Sequence, residues 1–453
     1  MGGRSADMVD EVLDRRRARR LAPVVVAAVI VFAVLSPSRA VAQVASVAPN
    51  AQPTGGTVVA GTASISQIAT STSVNQASVL AVINWQAFGV GAQTTFRVSA
   101  PSSSSVTLLR VVGPDPADIA GHVTSNGTVI LTDAAGITVE QGALLIGHGI
   151  VLSAAGSTTA HFMAGQLTLD RAPNPNAGIA VRGALVASHA GTVGLVAPAV
   201  SVSGTVDAAG GTIVVLGAVG ATLDLATGGS IDGPITRVPK DANGNPVAAF
   251  VAITGVVRAA GGVIQIEAAS ADGLLANGVS LGGTIGANNL PNVRGQEKVH
   301  STGSGIEVTG TLQALGGPML PGGTIGISSS ASVTLAATAR LNASGRAGGG
   351  TIAVGMSIDD AQSAGCPASV RPTTTTVVAG SRLHASATAN GAGGTIALGG
   401  KTVVFKGSAT AAGGPSGGDG GTVVLAATTL SNGGTTDVSS PQGQPGAVLV
   451  LSC

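Results

Sequence analysis

The feature that most limits what this chain can fold into is a recurring cut in its apolar runs. From Gly210 onward, Gly-Gly followed by Thr or Val and then by Ile or Val occurs at Gly210, Gly261, Gly282, Gly322, Gly349, Gly393 and Gly420. On either side lie short segments in which apolar and small or polar residues alternate, as in Val193 and Leu195, Val200 and Val202, Ile213 and Val215, and Leu223 and Leu225. Alternation puts one side chain inward and the next outward along a strand, and Gly-rich turns bend the backbone where larger residues cannot. No helical period of useful length competes. The last three Gly-Gly sites sit in longer similar blocks, RLNASGRAGGGTIAVG from Arg340, RLHASATANGAGGTIALG from Arg382 and GSATAAGGPSGGDGGTVVLA from Gly407. Each block reads as strand, tight turn, strand, and would bury its apolar side only against its neighbours.

Composition agrees with a stack rather than a globule. Of 453 residues 69 are glycine, 9% are charged and 2% aromatic, while 44% are hydrophobic and mostly small. These fill a narrow interior better than a wide core. Val193 to Ile213 is about one coil if coils run roughly 20 residues. The expected fold is all-β, a right-handed parallel β-helix of roughly 18 to 20 coils and about 90 Å, with an N-terminal cap for which the Trp85 and Phe88 segment is the candidate. At the other end, Ser440 to Cys453 is apolar and either packs back on the last coil or binds a partner.

The N-terminus carries its own signal. Arg15, Arg16, Arg17, Arg19 and Arg20 precede an apolar run from Leu21 to Leu35, followed by Ala40-Val41-Ala42. That order is a secretory signal peptide over 1–42, cleaved between Ala42 and Gln43, and the run is short of the ~20 residues a membrane span needs. The mature chain then has no transmembrane segment. Residues 43–53 read as a flexible mature N-terminus. Polar interruptions at 235–245 (ITRVPKDANGN) and 288–302 (NNLPNVRGQEKVHST) read as loops or hairpins leaving the rod.

From Val74 to Leu145 the sequence is more specific. It holds the sole tryptophan, Trp85, with Phe88 and Phe96, in a chain without tyrosine. The series QPTGG at 52–56, VINWQAFGVG, LLRVVGPDPADIAG, NGTVIL and then Gly136-Ile137 resembles the secretion domain of filamentous haemagglutinin-type exoproteins of two-partner secretion. The resemblance extends through Gly194 to Leu225, so 54–234 reads as the secretion domain and 235–453 as its Gly-rich continuation. One departure stands out. Where the family usually has Asn-Pro-Asn-Gly-Ile, this chain has Thr132-Asp133-Ala134-Ala135-Gly136-Ile137, keeping the glycine for a positive φ and the isoleucine for the interior.

The resemblance implies export through an outer-membrane β-barrel transporter with periplasmic recognition domains, in a Gram-negative bacterium, to the cell surface or medium. It also implies an adhesin with a host-cell or glycan receptor. Asn84, Trp85, Phe88, Asn126, Gly136 and Ile137 are the family-like positions, either recognised by the transporter or simply building a buried cap.

Other chemistry finds little footing. A net charge of +1 lacks the clustered basic surface that nucleic acid requires. The histidines (122, 148, 161, 189, 300 and 384) have no metal-ligand spacing, and Gly399-Gly400-Lys401-Thr402 lacks the glycine spacing of a phosphate loop. Gly413 to Gly420 carries one carboxylate, too few for calcium. No catalytic, metal or cofactor residue is assigned. The enzymatic alternative is a β-helical polysaccharide-degrading enzyme using Asp207, Asp224, Asp232 and Glu267, with Asp359-Asp360 as an adjacent pair; Asp115 and Asp118 lie in a turn with Pro114 and Pro116, where Asp commonly stabilises the backbone itself. A second alternative is the truncated carrier stalk of a contact-dependent toxin. Cys366 and Cys453 form a disulfide or remain two separate thiols.

Overall fold

The computed structural model describes residues 47–453 except 171, 189, 364–365 and 367–371. The signal peptide and its cleavage position at Ala42 and Gln43 lie outside the described residues. The described chain winds into a parallel β-helix with three faces per coil.

The first face begins with Leu80–Trp85, the second with Gly89–Val90 and the third with Ser71–Gln76. Each later coil adds one strand to each face in parallel register. One inward position of the first face shows the stack: Ile83, Leu109, Leu131, Leu152, Leu195, Val215, Ile266, Val299, Ile327, Val354, Leu398, Leu425 and Val450 lie in register. All but Val450 are buried to within 3%. Removing a large aliphatic side chain of this kind from water is worth about 1.5–3 kcal/mol. Val193 pairs with Ile213, one coil apart.

The ladder holds thirteen rungs among the described residues, fewer than the expected 18 to 20, and spans roughly 58 Å rather than 90 Å. Tight coils do run 20 to 22 residues, from Leu109 to Leu131, Leu131 to Leu152 and Leu195 to Val215. Three steps are far longer: 43 residues from Leu152 to Leu195, 51 from Val215 to Ile266 and 44 from Val354 to Leu398. The extra chain leaves the coil and covers its outer side.

That covering is required by the strands themselves. Thr128–Thr132, Gly149–Ser153, Thr192–Ala197 and Thr212–Gly217 are buried at every position. Continuous apolar strands need both faces covered. The short helix Thr159–Met163 and an antiparallel sheet of Leu167–Leu169, Gly220–Asp224 and Gly228–Gly233 close over Val82, Leu108, Ile130, Val151 and Val214. Further along, Met356 and the helix Ile358–Ser363 cover Ala353, Ala397, Val424 and Ala426.

The Gly-Gly motifs mark the corners. Gly350, Gly394, Gly421 and Gly446 stack in successive coils, and a Cβ on any of the last three would land on the carbonyl oxygen of the one before. Of the seven motifs from Gly210 onward, six lead into the first face and the one at Gly282 into the third-face strand Thr284–Gly286; Gly55-Gly56-Thr57-Val58 leads into the cap strand Thr57–Ala60. The similar blocks superpose, Arg340 on Arg382 on Ser408 and Thr351 on Thr395 on Thr422.

The N-terminal cap is made differently from the expectation. Strand Thr57–Ala60 runs antiparallel to Leu80–Trp85, and Ala63–Ile68 antiparallel to Ser71–Gln76, so both starting edges are paired by strands that break the parallel order. Trp85 and Phe88 lie inside the first coil beneath this cap. Residues 47–53, expected to be flexible, are bonded in place: Gly91 N donates to Ala51 O (3.0 Å), Gln93 N to Pro49 O (2.7 Å) and Val47 N to Asp118 Oδ2 (3.1 Å). The polar interruption from 288 ends at Gly295, because Gln296–Thr302 is a strand of the first face. At the far end Ala447–Ser452 packs on the last coil as rung thirteen, with Val448 and Val450 42% and 60% exposed.

Candidate functional site

The family-like residues gather in the first three coils and play distinct physical roles. Trp85, Phe88 and Phe96 form a buried triangle of edge-to-face rings with centroids 6.0, 5.7 and 5.0 Å apart. Such pairs add about 0.5–1.5 kcal/mol beyond burial. The cap closes on this triangle so tightly that a Cβ at Gly56 would lie 2.6 Å from the Trp85 ring. Asn84 stands at an outward position of the same strand, in register with Thr57 of the cap and with Arg110 of the next coil. Its Oδ1 is buried without a hydrogen-bond partner among the described residues. Arg110 Nη2 donates to Ser157 O (2.9 Å) and Thr159 Oγ1 (3.2 Å) in the covering insertion, and burial lowers its pKa from the ordinary value.

Asn126 is exposed and clamps a turn. Its Nδ2 donates to Ala100 O and its Oδ1 accepts from Ala100 N, both at 2.8 Å. Gly136 has φ +115°, and a Cβ there would lie 2.9 Å from Gly178 O. Ile137 is buried in the second face between Ala117 and Ile179. The turn between them and the first face rests on Asp133, which sequence reasoning passed over. Its N–H donates to Ser153 O (2.9 Å), its carbonyl accepts from Gly136 N (3.1 Å), and its Oδ1 accepts from Ala135 N (2.8 Å). Oδ2 is buried without a hydrogen-bond partner among the described residues, and burial pushes the carboxyl up to about 6. The only sequence signal was its place in the family's turn.

A groove of about 660 Å³ opens beside this turn. Gly136, Thr138, Gly178, Arg182 and Ser201 form its floor on the second face, and Lys240, Asp241 and Pro246 to Ala249 its wall. The wall is the end of the 235–245 loop and the residues that follow it to Ala249, which fold back along the rod instead of leaving it. Asp241 Oδ1 accepts from Asn243 N (2.9 Å) and Asn245 N (2.8 Å), and Lys240 N donates to Asn176 Oδ1 (3.1 Å). Arg182 Nη1 donates to both Oε1 and Oε2 of Glu140, each at 2.9 Å.

The acids considered for catalysis do not converge. Asp207 lies on the third face near Arg258 (3.7 Å); Asp224 caps a turn of the outer sheet through Ala226 N (2.8 Å); Asp232 accepts from Thr222 Oγ1 (2.8 Å); Glu267 is on the first face, accepting from Gln265 Nε2 (2.8 Å). Asp118 accepts from Val47 N, and Asp360 Oδ2 accepts from Ser357 Oγ (2.8 Å) at the start of a short helix. Cys366 and Cys453 are joined by a disulfide with Cα atoms 5.7 Å apart, tying the insertion between Val354 and Leu398 to the last rung.

A three-faced parallel solenoid that starts under an antiparallel cap, with an aromatic triangle inside its first coil, is a capped β-helix. Residues 48–314 match the family described as TPS secretion domain, and the chain belongs to that family. The structure is similar to the HMW1 secretion domain from Haemophilus influenzae, with TM-score 0.70 and 20% identity over 88% of this chain and 100% of that one. Two heme/hemopexin-binding proteins of Haemophilus influenzae are 33% identical over 91 and 70 residues, 20% and 16% of this chain. These stretches span 10% and 8% of those relatives' length. Among the described residues no helix is long and apolar enough to cross a membrane.

Proposed function

We propose that this chain is the exported member of a two-partner secretion pair, delivered through an outer-membrane transporter of a Gram-negative bacterium and acting outside the cell as an adhesin. The match over residues 48–314 carries the export reading. A signal peptide cleaved after Ala42 would bring the chain to the periplasm, and the first three coils, unfolded, would be offered to the transporter's periplasmic domains. Coil-by-coil pairing on the emerging cap then completes the rod outside.

Adhesion is supported by the rod form and by the groove beside Gly136, whose mixed apolar and charged lining suits a receptor's glycan or extended peptide. Fold alone gives no ligand, and the heme named for the two relatives is not carried over from so short a stretch. The family-like residues divide under this reading: Trp85, Phe88 and Ile137 are interior packing, whereas Asn126 is accessible enough to be recognised. Export of an Asn126→Ala chain, compared with stability of the same purified chain, tests this. A folded variant that stays in the periplasm supports recognition at Asn126; a folded variant exported at the normal level removes it.

A further inference from the structure

On the first face, a second inward ladder runs beside the Ile83 to Val450 stack through Val193, Ile213, Ile264, Glu297, Ile325, Ile352 and Ile396. In the eighth of thirteen rungs an acid takes an aliphatic position. Glu297 is 0% exposed, sandwiched between Ile264 and Ile325. Its Oε1 accepts from Ala287 N (3.0 Å) and Gln313 N (3.2 Å) at the corner after the third face. Its Oε2 is buried with no partner among the described residues. Among the described residues no charged group faces it. The charged residues on the surrounding strands are Glu267 on Val263–Ala269, Lys298 and His300 on its own strand, and Glu307 on Gly305–Val308, all at alternate positions facing out of the coil. Thr284–Gly286, Thr311–Gln313, Asn277–Leu281 and Thr324–Ser329 carry no titratable residue.

An ionised carboxylate here would leave one oxygen uncompensated in an aliphatic interior, at a cost far above that of the neutral acid, whose Oε2 carries the proton. We propose that Glu297 is a proton-dependent lock on the rod: the ninth rung closes over the eighth only when this carboxylate has taken a proton from solvent. Rung eight lies inside the matched 48–314 segment, and every rung beyond it depends on that closure.

Burial raises the Glu297 carboxyl well above its ordinary value of 4.5, outweighing the two backbone hydrogen bonds that lower it. The stability it contributes is therefore complete below about pH 4.5 and falls as pH rises, tenfold in the folding constant per unit, until the folded-state value is passed.

The test compares the full chain with Glu297→Gln, which keeps the acceptor for both amides without ionising, and Glu297→Ile, which restores the ladder. Urea midpoints from pH 4.5 to 9 and amide protection factors in 296–302 and 324–329 are read for each. The proposal expects the wild type to weaken with pH relative to both variants, with protection lost first in those two strands. Subtracting the Gln profile removes contributions from other acids, Asp133 included. Parallel profiles for wild type and Glu297→Gln would overturn it. If neither variant folds, infrared spectra of the folded wild type decide: a carboxylic-acid carbonyl band persisting above pH 6.5 supports the lock, and its absence overturns it.

Discussion

Replacing Gly394 by alanine tests whether the Gly-Gly motifs exist because successive coils touch through bare backbone. The added Cβ would meet Gly350 O, with Gly349 C at 2.7 Å and Gly350 N at 2.8 Å. All three atoms are backbone of the previous coil, so no side-chain rotation relieves the clash, and the coils must separate at that corner. Overpacking of this kind costs about 1–3 kcal/mol. The shift also strains the hydrogen bond from Thr395 N to Gly350 O, now 2.9 Å, at about 1 kcal/mol. Against this, alanine restricts the unfolded chain and returns about 0.4–1 kcal/mol. The net expectation is a loss of about 1–3 kcal/mol. Gly433 is the control: nothing lies within 4 Å of its Cβ position and its φ is not in the left-handed region. Gly433→Ala should be neutral or stabilising by up to about 1 kcal/mol. Because stacked repeats need not unfold in one step, the assay pairs urea midpoints with amide protection in Thr395–Phe405. If Gly394→Ala is as stable as Gly433→Ala, the close-stacking account of the motif is wrong.

Two other parts of the rod give further expectations. Changing Cys366 and Cys453 together to serine should lower stability by about 2–5 kcal/mol, since the bridge closes 87 residues of sequence separation; limited proteolysis should then cut first in Ala447–Ser452 and the 356–363 cover, and unchanged resistance would contradict this. Asp133→Asn should flatten the pH dependence of the third coil: with the carboxyl raised from 3.8 to about 6, its stabilisation is complete below pH 3.8 and lost as pH rises through 6, so the amide should gain about 1–3 kcal/mol at pH 7.5 and nothing at pH 3.5. Urea midpoints at the two pH values check it.

Much of the fold was legible because its rules are local. Alternating Val, Ile and Leu with Gly-Gly cuts specify a strand and a corner, and the Val193 to Ile213 pairing follows from coil length. What misled the coil count was that the insertions share the small-residue composition of the coils; only the continuously apolar strands, such as Thr212–Gly217, hinted that their outer side needed a cover. The cap was sought in the aromatics, whereas the edge is closed by 57–68, whose composition resembles any other strand. Glu297 was hidden in a polar stretch read as loop, because inside or outside depends on register and one residue reverses it. The Cys366–Cys453 contact joins the cover of rung ten to rung thirteen, a proximity that exists only after stacking. Asp207, Asp224, Asp232 and Glu267 were close in sequence, yet Asp207 lies on the third face, Glu267 on the first, and Asp224 and Asp232 on the outer antiparallel sheet.

The most direct test of the account is the fate of the tagged chain in its native host with and without the nearest outer-membrane two-partner transporter gene, scored as processed protein outside the cell. The account predicts mature chain beginning at Gln43 in the medium or on the surface only when the transporter is present. Equal release from both strains, or retention in the periplasm in both, would contradict it.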